Sequence, residues 1–127
     1  MHLRNVNSPD GPPPEGGYSQ AVEVIDARRT LYVSGQIPVE KDGSVPGAFG
    51  EQCAVAWANL KAQLNAADMT LDNLVKVTTY LADRRFADEN GAVRRRVLGD
   101  LRPALTVVVS EIFNASWLLE LEAIAVD

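Results

Sequence analysis

Apolar and polar residues alternate through AVEVID (21–26) and again through LYVSGQI (31–37), the period of two that sends successive side chains to opposite faces of a strand. The polar stretch between them predicts a hairpin: Val22 and Val24 share one face, Leu31 and Val33 pack with them, and Tyr32, Ser34 and Gln36 point away. The period then changes. From about Gly50 to Ala67, Cys53, Trp57, Leu60 and Leu64 recur every three or four positions, which is one apolar stripe on a helix. Asp68 stands where that helix should stop, in a left-handed conformation that Asp tolerates.

LVKVTTYLA (74–82) alternates again, with Val75, Val77, Thr79 and Leu81 on the core side and Lys76, Thr78 and Tyr80 opposite. Over 83–101, Phe86, Asn90, Val93, Val97 and Leu101 have near-helical spacing. This second helix is the weaker of the pair, because Gly91 costs roughly 1 kcal/mol relative to Ala in a helix interior. ALTVVVS (104–110) and WLLELEAIAV (117–126) close the chain as strands. The order of elements predicts an α+β fold, an antiparallel or mixed sheet with both helices on one face.

The last strand says what covers the other face. Leu119, Leu121, Ala123 and Ala125 form one apolar side, but Leu118, Ile124 and Val126 surround Glu120 and Glu122 on the second. ALTVVVS is likewise apolar on both sides. Self-association over the sheet explains both patterns, with grooves between chains in which a carboxylate could be held.

At 127 residues, 46% hydrophobic and 23% charged, the chain fits a single globular domain over 1–127. SPDGPPPEGG (8–17) is too rich in Pro and Gly for a helix or central strand, so residues 1–17 are expected to be irregular. No apolar run approaches the roughly 20 residues that span a bilayer. MHLRNVNSPDGPPPEGGY lacks the apolar centre of a secretory signal, and the single cysteine allows no internal disulfide. A cytoplasmic location is the expectation.

Charge and inventory then narrow the chemistry. A net charge of −5 opposes a nucleic-acid partner, whose affinity comes mostly from cations on phosphate. One His and one Cys exclude a His/Cys metal site and a Ser-His-Asp triad within one chain. Carboxylates, hydroxyls, backbone groups and water remain. Glu120 is the strongest acid/base candidate, because partial burial moves a carboxyl toward neutral pH, although an ion pair with a lysine such as Lys76 is the more common use of such a residue. Tyr18 follows two glycines and either borders a ligand or caps the core. Gly35 either lets something approach the backbone or marks a bulge. Asn90 reads first as a buried amide bonded to a loop, Cys53 as a small core hydrophobe, and the arginine groups, including Arg94-Arg95-Arg96, as solvated surface.

Together, GGYSQAV (16–22), LYVSGQIPV (31–39), LVKVTTYLAD (74–83), FADEN (86–90), RPALTVVV (102–109) and LELEAIAV (119–126) resemble the Rid family, also called YjgF or endoribonuclease L-PSP. The resemblance implies a chorismate-mutase-like fold, a homotrimer with a central barrel, and ligand sites between subunits. It implies hydrolysis of reactive enamines or imines to a carbonyl product and ammonia, with no cofactor or metal. By position, Glu120 would place the attacking water, Tyr18 would border the ligand, Gly35 would offer backbone contact and Asn90 would support the site.

One position breaks the pattern. Active members carry Pro-Ala-Arg-Ser or Pro-Ala-Arg-Thr, and that arginine grips the substrate carboxylate; here Pro103-Ala104-Leu105-Thr106 stands instead, followed by Val107, whose backbone matches a position that lies against the ligand. The resemblance thus implies a substrate-binding strand, Leu105 to Val107, whose grip has been removed, and a loss of two or more decades in carboxylate binding. Gly17 also replaces the usual proline before the tyrosine. The expected functions are a deaminase-like hydrolase with a retuned cleft, a non-catalytic small-ligand-binding or regulatory trimer, and, last, the ribonuclease activity of the older family name.

Overall fold

The computed structural model describes residues 1–127. The elements are β1 (His2–Val6), β2 (Ala21–Ile25), β3 (Thr30–Gln36), α1 (Phe49–Ala66), β4 (Leu74–Leu81), α2 (Ala87–Leu98), β5 (Ala104–Val109) and β6 (Leu119–Val126). β3, β6, β4 and β5 form a four-stranded sheet in that order. β6 is antiparallel to both β3 and β4, whereas β5 runs parallel to β4, so the sheet is mixed.

Both helices cover one face of it. Cys53, Trp57, Leu60 and Leu64 of α1 and Val93 and Leu98 of α2 share a single buried cluster with Val77, Leu81, Leu119, Leu121, Ala123 and Ala125 of the sheet. The period-two and period-3.6 patterns therefore identify the same core from its two sides. Asp68 does adopt left-handed backbone, with φ of 57°. No helix is long and apolar enough to cross a membrane.

The expected hairpin is not formed. β2 pairs with β1, antiparallel, and β3 takes β6 as its partner. The connection explains the change. Asp26 has φ of 56°, which turns the chain out of β2. The amides of Arg28 and Arg29 then donate to the Asp127 carbonyl at 2.7 and 3.0 Å, and the Arg29 guanidinium binds the Asp127 carboxylate and the Ala67 carbonyl. β3 is thereby registered on the end of the chain. The N-terminal residues also depart from expectation: His2–Val6 are a strand, and the irregular stretch is the Pro/Gly-rich segment after it.

Two amides on α1 position the strands that matter for the site. Gln52 is buried; its Nε2 donates to the carbonyls of Pro46 and Ser116 at 2.8 and 2.9 Å, and its Oε1 accepts from the Leu118 amide at 2.8 Å. Asn59 Nδ2 donates to the carbonyls of Ile37 and Val39 at 2.9 and 3.0 Å. The residues leaving β3 and those leading into β6 are thus tied to one helix. Gly35 and Glu120 lie on those adjacent strands.

Candidate functional site

The face that each β5 residue occupies follows from its register. Leu105, Val107 and Val109 stand opposite Val77, Thr79 and Leu81 of the core side, so they point toward the helices. Leu105 is half-buried and packs against the core cluster. Thr106 projects the other way, where its hydroxyl accepts from Lys76 Nζ. Leu105 and Val107 thus share one face of β5, and Thr106 takes the other.

On the helix side, Val107, Asn90, Gly91, Arg94, Arg95 and Asp88 line an open cleft of about 340 Å³. Asn90 is 2% exposed, and its Oδ1 accepts weakly from Cys53 Sγ at 3.9 Å. Cys53 itself is enclosed in the core; desolvation, reinforced by the Glu89 charge, pushes its thiol up to about 12. It is not a nucleophile. Arg94 was expected in solvated surface, yet its Nε is buried without a hydrogen-bond partner. Desolvation and the Arg95 charge hold its pKa below the usual value, while Tyr18 acts in the opposite direction.

Tyr18 reaches this region on a loop that the sequence did not reveal as anchored. Ser19, 2% exposed, donates its amide to the Pro103 carbonyl at 3.1 Å and its hydroxyl to the Arg102 carbonyl at 2.7 Å. Just before it, Gly17 has φ of +85°. Proline, fixed near −65°, cannot take that conformation, so the glycine supports a differently folded loop. Arg102 turns toward the end of α2, its Nη1 donating to the carbonyls of Gly99 and Leu101 at 2.9 and 3.0 Å.

Glu120 and Gly35 occupy the opposite face. Glu120 stands across from Tyr80, whose core-side neighbours point the other way. A Cβ built on Gly35 would lie 1.8 Å from Glu120 Oε2, so the carboxylate rests directly on the glycine backbone. The irregularity between Val33 and Gln36 is centred there. Gly35 thus both interrupts the β3 ladder and admits a side chain. Glu120 forms no ion pair, and Lys76 is engaged with Thr106 instead. Tyr80 donates its hydroxyl to Glu122 Oε1 at 2.6 Å; that bond, burial and the two glutamate charges raise the phenol's pKa above its usual value. Tyr32, Lys76, Thr78 and Glu122 border a depression of about 290 Å³ on the same face.

The structure therefore places the candidate residues in two groups on opposite faces of the sheet. Tyr18, Asn90, Leu105 and Val107 lie on the helix side, whereas Gly35, Thr106 and Glu120 lie on the open side.

The sequence profile of the family described as Endoribonuclease L-PSP matches residues 9–127. The chain belongs to this family, the Rid family. Among its Rid relatives, the RutC family protein PH0854 of Pyrococcus horikoshii is 36% identical over 118 residues, covering 91% of each chain. The 2-iminobutanoate/2-iminopropanoate deaminase of Mus musculus is 35% identical over 125 residues, with 96% of this chain and 90% of the mouse protein covered. The crystal structure of YyfB from Yersinia pestis, a Rid protein of unknown function, superposes with a TM-score of 0.88 at 25% identity, covering 100% of both chains. The α+β fold expected from the element order, of the YjgF type that the resemblance implies, is the fold that this Rid chain has.

Proposed function

We propose that this Rid protein hydrolyses reactive imines or enamines to a carbonyl product and ammonia, in clefts between the subunits of a homotrimer. The carrying observation is the state of Glu120: a half-buried carboxylate held against the Gly35 backbone with no cation to neutralise it. The mouse relative's activity supports the same reading.

In this mechanism Glu120 accepts a proton from water as the water oxygen attacks the imine carbon, forming a carbinolamine. That proton passes to nitrogen; the carbinolamine hydroxyl then gives up its own proton, which reaches nitrogen through Glu120, and the C–N bond breaks so that ammonia leaves with the electron pair as the carbonyl forms. One water is consumed per imine and the carboxylate is regenerated. The bonding electron pairs are accounted for without an external oxidant or reductant.

The trimer reading rests on the split between faces. β5 is an edge strand exposing Val107, Val108 and Val109 at 45%, 38% and 46%, an apolar edge that another chain would cover. A second copy is also what could bring an open-side half against a helix-side half. The test generates 2-iminobutanoate or 2-iminopropanoate in solution and follows its loss. Wild type should accelerate hydrolysis, and Glu120→Gln should lower the rate by at least about 100-fold. No acceleration by wild type would refute the hydrolase, and equal acceleration by the two proteins would remove Glu120 from the mechanism.

A second reading has its own observation. Leu105 turns into the core rim and offers no group to a ligand, as a small-molecule-binding trimer without catalysis would allow. In that case wild type and Glu120→Gln would bind ligand equally and neither would turn over.

A further inference from the structure

We infer that the depression on the open face of the sheet binds a small free α-amino acid, whose carboxylate meets Lys76 and whose ammonium meets Glu122. This site is separate from the Glu120 centre and does not depend on it. Tyr32, Ser34, Lys76, Thr78, Glu122 and Ile124 border a space of about 290 Å³ that spans β3, β6 and β4. Gly35 and Glu120 lie outside that lining. The exposed edge of β5, where a second copy is proposed to pack, is on the far side of β4.

Opposite charges that could pair are held apart here. In the β4–β6 register Lys76 stands opposite Ile124 and Tyr80 opposite Glu120, so Glu122 is the diagonal neighbour of both Lys76 and Tyr80. Diagonal positions are about 7–8 Å apart, within reach of long side chains. Glu122 nevertheless takes the neutral phenol, accepting from Tyr80 at 2.6 Å, while Lys76 turns across the sheet to Thr106 on β5. No ion pair joins them. The two groups are drawn in different directions, Glu122 along the strands and Lys76 away from β6, which leaves a gap between them. Both keep capacity for a ligand: Glu122 Oε2 accepts from nothing in the chain, and Lys76 has donors beyond the one given to Thr106.

The charge pattern selects the ligand. A simple anion on Lys76 would be repelled by Glu122, and a simple cation on Glu122 would be repelled by Lys76. A molecule carrying one charge of each sign satisfies both, through the charge-assisted hydrogen bonds that are the stronger kind. Thr78, directly across from Glu122, and Ser34 bring hydroxyls that can accept from the remaining ammonium protons. Beside them, Tyr32 is 76% exposed and stands opposite the half-buried Ile124. Ring and alkyl group together form an apolar wall that a branched aliphatic side chain would cover.

The probe is L-valine, titrated into the full chain and followed by the backbone amide resonances. Two controls each lack one charge: 3-methylbutanoate has no ammonium, and L-valinamide has no carboxylate. In the wild type, where no folding question arises, L-valine should move the amides of Tyr32, Thr78 and Ile124 and leave those of Asn90 and Gly91 in place. Each control should bind at least about tenfold more weakly. Lys76→Gln and Glu122→Gln should each weaken L-valine by about 10- to 100-fold, whereas Glu120→Gln should hold it within about twofold. No shift at millimolar L-valine, shifts confined to the cleft between α2 and β5, or an affinity unchanged in Glu122→Gln would each overturn the site.

Discussion

Glu120 and Gly35 illustrate how little separates the proposed catalytic arrangement from an inert one. The Cβ of an alanine at position 35 would come within 1.8 Å of Glu120 Oε2, 2.7 Å of Cδ and 3.1 Å of Cγ. All three atoms belong to the outer part of a flexible side chain, so the fold can yield by swinging the carboxylate aside. Gly35→Ala is therefore expected to keep stability within about 1 kcal/mol while costing about tenfold or more in kcat, because ångström displacements of a reacting group are expensive. Melting curves and steady-state kinetics on the same preparations separate the two effects. In a Glu120→Gln background the alanine should add almost nothing, since the displaced group is already disabled. An undiminished kcat in the single variant would mean that the carboxylate does not act from this position. Glycine at 35 was readable in the sequence as a bulge or a close approach; that it is both depends on β6 lying alongside, a long-range fact that local pattern does not carry.

At the scale of elements, α1 does more than fill the core. Through Gln52 it closes three hydrogen bonds, to Pro46, Ser116 and Leu118, and the last of these fixes the backbone just before β6. Gln52→Ala would strand one buried donor and two acceptors, at a cost of about 2–4 kcal/mol. Chemical denaturation should show that loss as a lower midpoint with little change in slope. A loss below about 0.5 kcal/mol would show that water can replace the amide. Both helices and their apolar stripes were legible because burial imposes a period that a single chain segment displays. The partners of β2 and β3 were not legible: β3 is drawn to the C-terminus by Arg29 and Asp127, residues 98 positions apart, and no local window contains that pair. Arg94 was hidden for a related reason. In a run of three arginines nothing local marks the one whose Nε the fold shields.

The whole molecule poses a problem that a single chain does not resolve, since Asn90 and Glu120 face opposite sides of the sheet. If the chain forms the proposed homotrimer and each working site takes its helix-side half from one subunit and its open-side half from the next, two inactive proteins should repair one another. Glu120→Gln retains an intact helix side, and Asn90→Ala retains an intact Glu120. Each homotrimer alone contains only damaged sites. Refolded together at equal concentration into randomly mixed cyclic trimers, about one quarter of the interfaces would join two undamaged halves. Imine hydrolysis should then return to about a quarter of the wild-type rate, and dilution that dissociates the trimer should abolish it. Tagging the two variants differently and isolating the mixed species tests whether the recovered activity travels with them. Mixed trimers as inactive as their parents would place both halves of the site within one subunit, and would require Glu120 or the cleft beside α2 to be given up as part of it.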